Sequence, residues 1–149
     1  MNCTVKFRKI GPVEVPDPKP VHPGDAGVDL YAALKRNIWL ENGERRLIPC
    51  GIQVEIPPGF EGQVRPRSGL ARDKGLTVLN APGTIDQTYR GEIGVILVNH
   101  GFDDVIILPL DRIAQLVIAP VPTVRWEAAE ELSETERGER GFGSSGVAG

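Results

Sequence analysis

Apolar and polar residues alternate through Ile48, Cys50, Ile52, Val54 and Ile56, with Gln53 and Glu55 on the other side. A period of two turns one face of an extended chain to a core, so this stretch predicts a half-buried strand ended by Pro57-Pro58-Gly59. Val5 and Phe7 against Lys6 and Arg8 predict another, on a weaker pattern. Glu92–Asn99 is different, because it is apolar on both faces. Such a strand must be covered twice, by a second sheet or by a partner subunit. Val105–Leu108 and Ile113–Ile118 continue the series, with Pro109-Leu110-Asp111 and Pro120 as breaks. Short strands at this spacing predict an antiparallel sandwich, jelly roll or barrel.

Two helical pieces stand out. Ser68 is placed to cap Gly69–Lys74, and Gly75 to stop it. Arg125–Glu136 carries five glutamates and predicts an exposed helical turn or two. From Arg137 the chain has five glycines in its last 13 residues and almost nothing to bury. That composition predicts a segment mobile until something orders it, or simply a frayed end. The division is therefore a β-domain over residues 1–136 and a glycine-rich arm over 137–149.

Composition narrows the function. The 149 residues suit one domain. With 17 Lys+Arg against 20 Asp+Glu the net charge is −3, which argues against a nucleic-acid coat or a polybasic membrane binder. No apolar run is long enough to span a membrane. Cys3 and Cys50 are too few for a disulfide framework or a zinc site, and the reading is a reducing, cytoplasmic setting.

Three segments can carry chemistry. Arg65–Lys74 holds four cations and one acid, with Ser68 and Gly69 at a helix start, which suits an anion or else a solvated basic turn. Asn80–Gly91 reads as a hairpin whose backbone can meet a flat base edge. Its Asp86 has the chemistry of a general base if partly desolvated, or of a carboxylate that satisfies turn N–H groups. Tyr89 is placed to wall a sugar. In the arm, Arg137, Phe142, Ser144 and Ser145 offer charge, a stacking ring and hydroxyls, but the glycine spacing lacks the Gly-Lys-Ser/Thr ending of a P-loop.

In their order these segments resemble the five motifs of the trimeric dUTPase family. Ala26–Tyr31 is similar to the first, Arg67-Ser68-Gly69-Leu70-Ala71 to the second, and Asn80–Asn99 to the third. Asp111–Val117 is similar to the fourth and Arg137–Gly146 to the fifth. The resemblance spans almost the whole chain. It implies an all-β, jelly-roll-like barrel assembled as a homotrimer, with active sites shared between subunits and closed by the arm. It implies Mg²⁺-dependent hydrolysis of dUTP to dUMP and diphosphate, which keeps uracil out of DNA and supplies dUMP for thymidylate synthesis.

Residue by residue, the resemblance implies that Asp86 activates water. Arg67, Ser68, Gly69 and Gln115 hold phosphates, joined by Ser144 and Ser145. Asn80, Gly83, Thr84 and Ile85 read the uracil edge, Tyr89 packs on deoxyribose and Phe142 covers the base. Arg137 stabilises developing charge. Mg²⁺ is held mainly by the substrate phosphates, with Asp29 either near its water shell or paired with Arg112. Thr88 stands where some members carry a second acid, and Glu139 and Arg140 replace smaller residues. A dCTP deaminase of the same fold and a non-catalytic nucleotide-binding trimer are the competing readings.

Overall fold

The computed structural model describes residues 3–142 and 146. Within them the chain is all-β, with one short helix. The strands are β1 (Lys6–Lys9), β2 (Gly27–Tyr31), β3 (Ile38–Leu40), β4 (Arg45–Pro49), β5 (Ile52–Glu55), β6 (Phe60–Arg65), β7 (Leu76–Val78), β8 (Gly83–Ile85), β9 (Gly94–Asn99), β10 (Val105–Ile107) and β11 (Arg112–Pro120). The helix, α1 (Ser68–Lys74), lies between β6 and β7. Every ladder is antiparallel, in the orders β2-β11-β6-β8, β4-β9-β7, β1-β5 and β10-β3. Among the described residues these four sheets wrap one core without joining into a closed hydrogen-bonded barrel. Leu30, Leu40, Ile48, Ile56, Ile93, Leu97 and Ile113 lie at its centre.

The alternating stretch from Ile48 to Ile56 keeps its buried face, with all five apolar residues at most 4% exposed. It is two strands rather than one. Gly51 takes φ +67, and a Cβ there would sit 3.1 Å from both Ala33 and Val15. The bend hands the chain from β4, which pairs with β9, to β5, which pairs with β1. The Val5/Phe7 strand also forms, yet all four residues of β1 are exposed.

Strand β9 is central in its sheet, and its two faces differ. Val95 and Leu97 are fully buried, whereas Ile96 and Gly94 are half-buried against Leu47, itself 68% exposed. The second cover that the sequence demands is thus incomplete within one chain.

Two helical expectations need correction. Arg67, not Ser68, is the N-cap of α1, with extended backbone and no side-chain cap bond. Arg67 must stay extended because it leaves the end of β6 and turns its guanidinium to Asp29. Gly75 does end the helix, at φ +65. Arg125–Glu136 forms no helix and is exposed throughout. Glutamates four apart, such as Glu127/Glu131 and Glu130/Glu134, repel on a helical face. Trp126 and Leu132, 92% and 88% exposed, find no surface among the described residues to bury against.

Candidate active site

Antiparallel pairing across β2, β11 and β6 sets Asp29, Gln115 and Arg65 in one row. At that end of the sheet opens a hollow of about 410 Å³, lined by Asp29, Arg67, Ser68, Gly69, Arg112 and Gln115 with Gly27, His22 and Asp25. Asp29 is its electrostatic centre. Arg67 Nε lies 3.1 Å from Asp29 Oδ1, and Arg112 Nη1 donates to Oδ2 at 3.4 Å. Arg67 Nη1 also donates to the Arg112 carbonyl at 3.2 Å. Gln115 Nε2 donates to the Pro66 carbonyl at 3.0 Å, fixing the approach to α1. The Asp29 carboxylate thus pairs with Arg112, and with Arg67 as well.

The four cations of Arg65–Lys74 are not one pool. Arg67 is committed to Asp29, and Arg72 to Asp73 at 2.6 Å, whose carboxyl the guanidinium holds below the usual range. Ser68 and Gly69 are exposed, and among the described residues nothing beyond its chain neighbours and the helix's own backbone lies within 4 Å of where a Gly69 Cβ would be.

A second hollow, of about 300 Å³, lies at the other edge of the same sheet. Strand β8 pairs with β6 on one side, and among the described residues no strand pairs with its other edge. Asn80, Gly83, Thr84, Ile85, Asp86, Tyr89 and Glu92 line it, with Leu47 and Ile96 as an apolar wall. The Asn80 side chain lies over Gly83, where a Cβ would stand 3.2 Å from Nδ2. Asp86 starts a turn closed by the Tyr89 N–H donating to its carbonyl at 3.0 Å. The Tyr89 hydroxyl donates to the Glu92 carbonyl at 2.9 Å. Asp86 is exposed, so the partial desolvation expected from its apolar neighbours is not supplied by its own chain. Leu47, Ile96 and Glu92 escaped sequence reasoning because they come from distant strands or read as strand polar positions. The one signal was an acid opening the most apolar strand.

Arg137 and Phe142 line neither hollow. Arg137 Nε donates to the Arg140 carbonyl and Arg140 Nε to the Arg137 carbonyl, both at 3.0 Å, in an exposed turn. Ser144 and Ser145 lie outside the described residues. Among the described residues no three His, Cys, Asp or Glu side chains cluster as metal ligands. Both Asp29 oxygens face guanidinium groups.

Fold and hollows define the class: an all-β protein with an exposed strand edge beside a carboxylate, and a guanidinium-lined cleft at the far end of the same sheet. Residues 13–146 match the family model described as dUTPase. The chain belongs to the dUTPase family. It is 54% identical over 129 residues to the deoxyuridine 5'-triphosphate nucleotidohydrolase of Syntrophotalea carbinolica, covering 87% of this chain and 88% of that one. The enzyme of the same name from Anaeromyxobacter sp. is 52% identical, covering 98% of this chain and 99% of the other. A Staphylococcus bacteriophage 80alpha dUTPase solved with dUpNHpp superposes with a TM-score of 0.86 at 30% identity, over 97% of this chain and 99% of that one. A mutant dUTPase from phage phi11 of S. aureus, solved with a structural Mg(II) ion, superposes at 0.77 with 26% identity, over 86% and 97%.

Proposed function

We propose that this chain is a dUTP diphosphatase, hydrolysing dUTP to dUMP and diphosphate in the cytoplasm. The observation that carries the reading is the β8 edge. Asn80, the Gly83–Ile85 backbone, Asp86 and Tyr89 surround one base-sized hollow in a member of the dUTPase family. Free N–H and C=O groups on a fixed strand edge suit a planar base with alternating donors and acceptors. Tyr89 packs on the deoxyribose and leaves no room for a 2′-hydroxyl.

In this mechanism Asp86 takes a proton from water as the water oxygen attacks the α-phosphorus. The bond from that phosphorus to the oxygen bridging to the β-phosphorus breaks, and diphosphate leaves. Arg67, Ser68, Gly69 and Gln115 hold the phosphate chain, and Arg137 from the arm meets the charge that develops. Asp29 keeps the Arg67 and Arg112 guanidiniums in place. A magnesium ion brought in on the substrate phosphates would screen their charge, with Asp29 a carboxylate of the Arg67 hollow able to reach its water shell.

The site is shared. The two hollows have no lining residue in common. Gln115 pairs with Arg65 and Ile85 with Gly62, so three residues along β6 and two strand spacings separate them, on the order of 14 Å. A homotrimer with a jelly-roll-like subunit sets the β8 edge of one copy against the Arg67 hollow of another. The half-covered face around Leu47 and Ile96 supports that packing. The arm of residues 137–149, with Phe142 over the base and Ser144 and Ser145 on the terminal phosphate, then closes the pocket.

The deciding experiment offers dUTP, dTTP, UTP and dCTP with magnesium and measures diphosphate. Release from dUTP alone is expected. Ammonia released from dCTP would turn the reading to a deaminase, and no reaction with any of them would refute it.

A further inference from the structure

Tyr89 is 43% exposed, so packing does not hold its ring. Two contacts do. The ring lies on Gly91, where any Cβ would collide with it. Its hydroxyl is tethered to the Glu92 carbonyl at 2.9 Å. The angle of the ring over the hollow is therefore set by the main chain of residue 92.

That main chain is latched by its own side chain. At the β4–β5 bend the buried Gly51 N–H donates to Glu92 Oε1 at 2.8 Å. Next to it Cys50 N–H donates to the Ile93 carbonyl, and Ile93 N–H to the Ile52 carbonyl, each at 2.9 Å. The bend itself cannot slide, because Val15 and Ala33 crowd Gly51. A charge-assisted bond to an immobile donor is a strong and directional anchor.

We propose that Glu92 is a positioning residue. Its carboxylate fixes the turn from Asp86 to Glu92 onto the Gly51 bend, and so holds the Tyr89 ring at the angle that refuses a ribonucleotide. The inference rests on the reading of Tyr89 as the wall against the sugar. A purely structural role, satisfying the Gly51 donor, would lower stability without touching selectivity.

The test is the ratio of kcat/KM for dUTP to that for UTP, measured on the full chain with magnesium for Glu92→Gln, Glu92→Ala, Glu92→Asp and Tyr89→Ala. Glu92→Gln keeps an acceptor at the same reach and should hold the ratio within about twofold. Glu92→Ala should lower it on the order of tenfold, mainly by admitting UTP. Glu92→Asp falls short of the Gly51 N–H and should also lower it; this variant carries the test if the alanine variant does not fold. A ratio that drops in Tyr89→Ala but is unchanged in Glu92→Ala and Glu92→Asp overturns the inference and leaves the wall standing. A ratio unmoved in Tyr89→Ala removes the wall and the inference together.

Discussion

Arg67 Nε stands 3.1 Å from Asp29 Oδ1, on a carboxylate whose side chain is only 11% exposed. Arg67 sits just before α1 and Asp29 in the middle of β2, so the pair joins a helix start to a strand two places away in the sheet. Asp29→Asn removes the charge that holds two guanidiniums. Arg67 and Arg112 are 30% and 47% exposed, so solvent screens much of the loss, and the stability cost should be about 1–2 kcal/mol. In the proposed mechanism a displaced Arg67 no longer meets the phosphates, so kcat/KM for dUTP should fall on the order of a hundredfold. Steady-state diphosphate release together with thermal melts checks both; unchanged kinetics would remove Asp29 from the site.

Asp86→Asn separates binding from turnover. Asp86 is exposed at a turn, so the amide should fold as the acid does. In the proposed mechanism the Asp86 carboxylate accepts the proton of the attacking water, which an amide cannot do. Turnover should drop by about 10²–10⁴, while calorimetric affinity for a non-hydrolysable dUTP analogue stays close to wild type. Normal turnover would take the water-activating role from Asp86.

Asn99 is the one polar side chain fully buried among the described residues. Its Nδ2 donates to the Leu40 and Asp103 carbonyls at 3.0 and 2.8 Å, and its Oδ1 accepts from Gly101 N–H at 2.9 Å. Gly101 packs backbone to backbone on Lys74 and Gly75 at the end of α1. Asn99→Ala leaves these groups without partners and should cost about 3 kcal/mol, read as a lower midpoint in urea. Asn99→Asp should not rescue it, since a carboxylate has no donor for the two carbonyls.

Much of this architecture was legible in the alternation. Ile48, Cys50, Ile52, Val54 and Ile56 face the core as read, because a period of two depends only on local geometry. The bend inside that run was not legible, since Gly51 matters through contacts with Val15 and Ala33, far away in the sequence. Ser68 had the chemistry of a cap, but Arg67 is drawn to Asp29 and takes the position. The glutamate-rich stretch had helical residues without a face to bury. The order of the five motifs pointed to the family. The sequence could not convey that Asp86 and Arg67 open into separate hollows, nor that Glu92 joins two of the chain's turns, because both facts arise from strand pairing.

Cys50 gives a pH signature. Burial, and after it the charge of Glu92, push its thiol up to about 12 from an ordinary 9.0. Below pH 9 the thiol keeps its proton folded or unfolded, so its contribution to stability is fully present. Above that, only the unfolded chain releases the proton, so stability is lost as pH rises from about 9 towards 12, on the order of a few kcal/mol in all. Unfolding free energies of wild type and Cys50→Ala, compared from pH 8 to 11, should converge as the pH rises. In the native protein at pH 8 a thiol reagent should label the exposed Cys3 and spare Cys50. Parallel pH profiles would show that the burial of Cys50 does not couple to folding.

The arm can be removed without touching the core. The last strand ends at Pro120, and residues 121–142 contribute neither strand nor helix. A chain stopped before Arg137 keeps every sheet pairing and both hollows, so it should melt as the full chain does. It should also elute at three times the chain mass, as the proposed trimer requires. In the proposed closed pocket it loses Arg137 and Phe142, and with them the exclusion of water that strengthens each electrostatic contact to the phosphates. One well-placed donor is worth about 10²–10³ in rate, so kcat should fall by at least that much. A truncated trimer with full activity would make the arm dispensable, and an active monomer would contradict a pocket built from several copies.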